Sequence, residues 1–271
     1  MSARRYSDPG ISTCETRPTR KRGRSRYIAD VFCAAICLVV VSSVFAQSDT
    51  DFAKANQAYA QGHFKEALDG YEALVRSGQW SANLFYDLGN AYFRTGDFGR
   101  AILNYERALS LERHHPEAAA NLQIARDGAR ALEMQQGWLE RHMQFGSVNQ
   151  YSTVAAIALW LGIFVALMLI FARRRSATMM TVLIFCFLVC AVSIYAVYTI
   201  ERGSKGYALA IVTDTDVQAR LATADTANSV LALPPGSEIK VLSTRGDWVY
   251  AALPNNLRGW IPAKGAEQVR L

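Results

Sequence analysis

The sequence predicts a multidomain membrane protein: an all-α solenoid, then a two-helix transmembrane hairpin, then a small all-β barrel. Three observations carry this reading. Residues of like character recur every 34 positions between 47 and 150. Two uncharged apolar stretches follow at 151–172 and 177–200. Short β-rich runs separated by turn residues begin at Tyr207.

Composition supports the membrane class and narrows the partners. Of 271 residues, 51% are hydrophobic and 19% charged, too apolar for a disordered chain. The net charge of +6 is unevenly placed: residues 1–46 carry +5, residues 47–150 carry −3, and Arg173, Arg174 and Arg175 add +3. The basic excess flanks apolar stretches and does not lie on a folded domain, a pattern of membrane topology that speaks against a nucleic-acid partner. The five cysteines form no C-x-x-C pair, which excludes a zinc-ribbon module.

Taken in chain order, residues 1–46 read as an export signal or an N-terminal anchor. A basic string from Arg20 to Arg26 precedes an apolar run from Val31, and Val44-Phe45-Ala46 suits cleavage before Gln47. The run is short for a span, so a cleaved export signal is the first reading and an uncleaved anchor its rival. A lipoprotein reading fails because Phe32 and Ile36, not Gly or Ala, precede Cys33 and Cys37.

The stretches 151–172 and 177–200 are each long enough to cross a core of about 30 Å at about 1.5 Å per residue. Only residues 173–176 separate them, so they must form a tight antiparallel hairpin, and its three arginines place the tip in the cytoplasm. Ala158, Gly162 and Ala166 make a small-residue ridge, matched by Cys186 and Cys190 on the other helix. Such ridges permit close helix contact, within the hairpin or with another membrane protein. The folded parts on either side then lie outside the cytoplasm, in the periplasm or its equivalent.

Between 47 and 136 the repeat pairs Phe52 with Tyr86, Ala55 with Gly89, Asn56 with Asn90 and Tyr59 with Phe93. It continues with Gly62 and Gly96, Phe64 and Phe98, Ala67 and Ala101, and Tyr71 and Tyr105. Small residues at helix crossings interleaved with aromatics describe a helix–turn–helix unit, with the glycines at the turns. The run Leu88-Gly89-Asn90-Ala91-Tyr92, with Gly96-Asp97-Phe98 and Tyr105-Glu106-Arg107-Ala108-Leu109, resembles the tetratricopeptide repeat. Pro116 to about Gln136 reads as the capping helix that a solenoid needs. Residues 137–150 form a juxtamembrane linker whose Trp138 and Phe145, with Tyr151 after it, suit the headgroup zone. The resemblance implies that Asn56, Tyr59, Tyr86, Asn90, Phe93 and Arg94 line a concave partner-binding groove. Asn56 and Asn90 would bond an extended peptide while Tyr59 and Tyr86 make apolar contacts; the alternative is that several of these aromatics pack between helices.

After the hairpin, β-rich runs are expected at Ala208–Val212, Val217–Arg220, Glu238–Leu242, Trp248–Ala252 and Gly259–Pro262. Five strands in residues 205–271 argue for a small barrel. Pro234-Pro235-Gly236, Gly246-Asp247-Trp248-Val249-Tyr250 and Gly259-Trp260-Ile261 resemble the bacterial SH3 domain. Trp248, Tyr250 and Trp260 are then core or groove residues, with the core favoured for the two tryptophans. In relatives such domains often bind cell-wall peptides or proteins.

No catalytic constellation is legible. His63, His114, His115 and His142 lack metal-ligand spacing, and no nucleophile elbow, phosphate loop or dinucleotide fingerprint occurs. The acidic residues of the repeat helices read as solvated faces or i,i+4 partners. No enzyme activity, metal or cofactor is expected. The order of segments resembles the BatE-type proteins of the bacterial Bat (aerotolerance) group. That resemblance implies a protein-binding adaptor acting beside von Willebrand A-domain membrane proteins and a MoxR-type ATPase. The alternative is a module that binds peptidoglycan through its SH3-like part.

Overall fold

A computed structural model describes residues 50–143, 146–171, 177–203 and 206–270. The export segment, Phe145 and the arginine tip at 173–176 lie outside the described residues.

Helix α1 covers 50–60, α2 Phe64–Arg76, α3 Ala82–Thr95, α4 Phe98–Leu111 and α5 Pro116–Ala129. Local chemistry sets the boundaries. Ser81 Oγ accepts from Leu84 N–H at 3.1 Å and Asp97 Oδ1 from Arg100 N–H at 3.0 Å, each satisfying an orphan donor of a first turn. Gly62 and Gly96, one repeat apart, sit at φ +81° and +85°, where a side chain would be strained. Gly89 has a second reason to be glycine: a Cβ there would lie 2.7 Å from the Tyr105 ring. The packing seam is Ala55, Ala67, Tyr71, Leu88, Ala91, Ala101 and Tyr105, all buried. Leu122 and Ala125 of α5 join the same core.

The capping helix is shorter than the sequence suggests. It ends at Ala129, where Arg130 takes a left-handed conformation at φ +53°. Residues 131–137 leave the helix and run to the sheet: Glu238 N–H donates to Leu132 O at 2.8 Å, and Ser237 Oγ accepts from Leu132 N–H at 3.1 Å. A short helix α6, Trp138–Met143, interrupts the expected linker.

Helices α7, Val148–Phe171, and α8, Ala177–Arg202, pack side by side and are each long and apolar enough to cross a membrane. The two small ridges face each other: a Cβ on Gly162 would lie 3.6 Å from Cys186 Cβ, and Ala158 is buried. Ala158, Gly162, Ala166, Cys186 and Cys190 line one apolar groove of about 470 Å³.

The C-terminal part is a seven-stranded antiparallel sheet, not a five-stranded closed barrel. Its strands are β1 Leu209–Val212, β2 Val217–Arg220, β3 Ser229–Leu233, β4 Glu238–Arg245, β5 Trp248–Ala252, β6 Arg258–Pro262 and β7 Ala266–Gln268. Their order is β3-β2-β6-β5-β4-β1-β7, and the edge strands β3 and β7 do not pair with each other. These are the two strands missing from the sequence reading. One is an apolar run ending at the Pro234-Pro235 turn, the other only three residues long. Trp248 and Trp260 are half-buried, not core. The sheet core is Val212, Ile239, Ala251, Leu253 and Ile261.

Residues 51–271 form one compact unit, within which the repeats and the sheet share packed residues. Strand β1 is buried on both faces, with Ala210 and Val212 in the sheet core and Leu209 and Ile211 in the helical core. Gly99 permits the approach, since a Cβ there would lie 2.7 Å from Thr213 O. Across this junction Arg126, 7% exposed, pairs with Glu106 of α4 and with Glu238 of β4, and Glu133 stands 3.5 Å away. Glu106 is therefore not on a solvated face, as the charge pattern had implied.

Candidate protein-binding groove

Each repeat contributes its first helix, α1 or α3, to the face on which the candidate residues lie. Tyr71 Oη donates to Asn56 Oδ1 at 2.7 Å, and Tyr105 Oη donates to Asn90 Oδ1 at 2.8 Å. One interaction is thus made twice, 34 residues apart. Burial pushes the Tyr71 and Tyr105 hydroxyls well above the ordinary phenol range and keeps them as neutral donors. Asn121 of α5 adds a second bond to Asn90 Oδ1, at 2.8 Å. The carboxamide oxygens of the two asparagines are therefore occupied inside the fold.

Tyr59 meets the Phe64 ring edge-on at 5.3 Å, and Phe93 meets Phe98 likewise at 5.5 Å. Arg94 is exposed and lays its guanidinium 4.8 Å from the Phe64 ring centroid. These three residues tie the first helix of a unit to its neighbours while keeping one surface toward solvent.

Tyr86 is placed differently. It stacks against His115 at 4.9 Å and borders an open cavity of about 530 Å³ with Phe52, Asn83, Asp87, Glu112 and Glu117. His115 caps α5 through Nδ1, which accepts from Ala118 N–H at 3.2 Å, and the same nitrogen lies 3.2 Å from Glu117 Oε2. The structure thus brings Tyr86 together with an acidic, aromatic-walled cavity and leaves Tyr59, Phe93 and Arg94 outside that cavity.

Asp87 was invisible to the repeat comparison, because the residue 34 positions earlier is Ala53. Burial raises its carboxyl from the ordinary 3.8 to about 6, opposed only in part by His115. Between pH 4 and 6, then, the folded protein holds a proton that the unfolded chain releases, and stability falls as pH rises through that window. Asp87→Asn is expected to stabilise the protein at pH 7 by about 1 kcal/mol, after allowance for solvent screening at the cavity mouth. It should also flatten the pH dependence of unfolding between about pH 4 and 6, measured by denaturant titration. Identical pH profiles for variant and parent would contradict this reading.

On the sheet, Tyr250 and Trp260 are cross-strand neighbours with ring centroids 5.0 Å apart, both half-buried. Trp248 lies opposite Pro262 on the same strand pair.

Residues 82–115, which span α3, the turn at Gly96, α4 and the loop up to the cap of α5, match the tetratricopeptide repeat family. No curated protein matches the chain. The matched segment holds Tyr86, Asp87, Asn90, Phe93 and Arg94. Such repeats generally mediate protein–protein interaction.

Proposed function

We propose that the protein is a non-enzymatic, membrane-anchored adaptor that holds a partner polypeptide in the groove of its tetratricopeptide repeats. The observation that carries this reading is the open cavity beside Tyr86. Its walls combine Phe52 and Tyr86 with Asp87, Glu112 and Glu117, a chemistry suited to a lysine or arginine side chain with an apolar stem and a cationic head. The apolar outer surfaces of α7 and α8, with Phe171 83% and Phe187 76% exposed, support a lipid environment.

The repeats precede the two apolar helices and the sheet follows them, yet both contribute to one hydrophobic core. An even number of crossings satisfies that connection, and the arginines between the helices favour a cytoplasmic tip. The folded unit then faces the periplasm. The order of segments is in keeping with a BatE-type role in envelope stress tolerance, beside von Willebrand A-domain membrane proteins and a MoxR-type ATPase. A second reading, peptidoglycan binding by an SH3-like face, is favoured only by the half-buried Tyr250–Trp260 pair.

A photo-crosslinking side chain at Asn83, on the rim of the cavity, is expected to capture a discrete partner in intact cells. The same group at the exposed Lys65 of α2 should not. Capture at Asn83 should be lost when Tyr86→Ala and Asp87→Lys are added. Equal capture from both positions, or capture indifferent to the two substitutions, would contradict the groove. Asn90→Ala is a poor probe, because it also removes the acceptor of Tyr105 and Asn121.

A further inference from the structure

Where the repeats, the start of α7 and the end of the sheet converge, a cavity of about 520 Å³ opens. Three guanidinium groups line it, Arg107, Arg113 and Arg270, and no carboxylate does. Arg107 is nearly buried, with its side chain 12% exposed. Its Nη2 donates to Glu267 at 3.3 Å and to Gln268 O at 3.1 Å, while its buried Nε has no partner. Arg113 Nη1 donates to Gly146 O at 2.9 Å, just before α7. Arg270 stacks over the Tyr207 ring at 4.3 Å. A cleft that gathers three guanidinium groups is an electrostatic site for an anion.

Location identifies the anion's source. Val148, the first residue of α7, lines the cavity, and a smaller neighbouring cavity of about 280 Å³, lined by Glu106 as well, shares Arg113 and Arg270 and reaches Ile200 at the end of α8. The site thus lies where both apolar helices leave the hydrocarbon. Trp80 and Tyr207, 53% and 59% exposed, stand at its rim with the amphipathic character of a headgroup belt. We infer that this cleft binds the phosphodiester of an anionic phospholipid, with Arg113 and Arg270 holding the phosphate. Arg107 lends charge but is held by Glu267. The inference rests on the reading that α7 and α8 span a bilayer.

The test uses the full chain in nanodiscs of equal parts phosphatidylglycerol and phosphatidylcholine, with retained lipid counted by native mass spectrometry. The parent should keep phosphatidylglycerol in preference. Arg113→Gln with Arg270→Gln should lower that preference about tenfold, the loss expected for two charge-assisted contacts. Arg245→Gln with Arg258→Gln, which alters two exposed arginines of the sheet, should leave it unchanged. Arg270→Gln alone gives the same readout if the double variant does not fold. A preference that is absent, or equal in all variants, overturns the inference. So does complete displacement of the lipid by inorganic phosphate alone, which would make this a site for free phosphate. Failure of the parent to float with pure phosphatidylcholine vesicles would instead overturn the membrane reading itself.

Discussion

Arg126→Ala is expected to cost about 3–5 kcal/mol of folding stability, the largest effect of any single substitution considered. Arg126 is buried where α4, the segment after α5 and the distant strand β4 meet. Its Nη2 serves Glu106 of α4 and Glu238 of β4, and Nη1 faces Glu133 of the extended segment. Glu238 has no exposed surface, and its Oε2 also accepts from Met134 N–H at 2.9 Å. Truncating Arg126 withdraws the guanidinium from two carboxylates that remain desolvated, and desolvated charge is what makes a broken buried pair expensive. Denaturant unfolding of the full chain in detergent measures the loss. Replacing the cluster together, with Arg126→Met, Glu106→Gln and Glu238→Gln, should recover most of it. A loss below about 1 kcal/mol for Arg126→Ala would place the pair among exposed salt bridges and contradict its buried role.

Gly99→Val should act at the same junction by a different mechanism. The new side chain would meet Thr213 backbone at 2.7 Å and 3.0 Å, and backbone cannot move aside as a flexible side chain can. Overpacking of this kind costs about 1–3 kcal/mol, here spent on separating α4 from the turn after β1. Helix α4 itself, capped by Asp97 and packed through Ala101 and Tyr105, should survive. Unfolding of the variant is expected to split into two transitions, the sheet before the repeats, where the parent shows one. A single unshifted transition would contradict a shared core.

What the sequence made legible was local or periodic. Gly62 and Gly96 announce turns because few other residues tolerate their φ, and Tyr71 and Tyr105 announce a repeated contact because they recur in register. The hairpin was legible from two uncharged runs separated by four residues. The junction was not. Arg126 and Glu238 are 112 residues apart, and neither lies in a motif that signals the other. Strand β1 reads as an ordinary apolar strand, with nothing in Leu-Ala-Ile-Val to say that its second face belongs to a helical core. A solenoid needs its apolar surfaces covered, and the capping helix alone was expected to meet that need. The sheet covers part of the surface as well, which is why α5 can stop at Ala129. Asp87 was hidden for the opposite reason: it departs from the repeat.

In the proposed topology, repeats and sheet form a single folded body on one side of a membrane, joined through two crossings. Single cysteines at Gln61 and Lys264, both exposed, and at Arg174, in a chain whose native cysteines are serine, test it most directly. Labelling with a membrane-impermeant maleimide in spheroplasts should modify Gln61→Cys and Lys264→Cys together and spare Arg174→Cys, with the pattern reversed in inverted vesicles. Modification of the Gln61 and Lys264 positions from opposite sides would contradict the account.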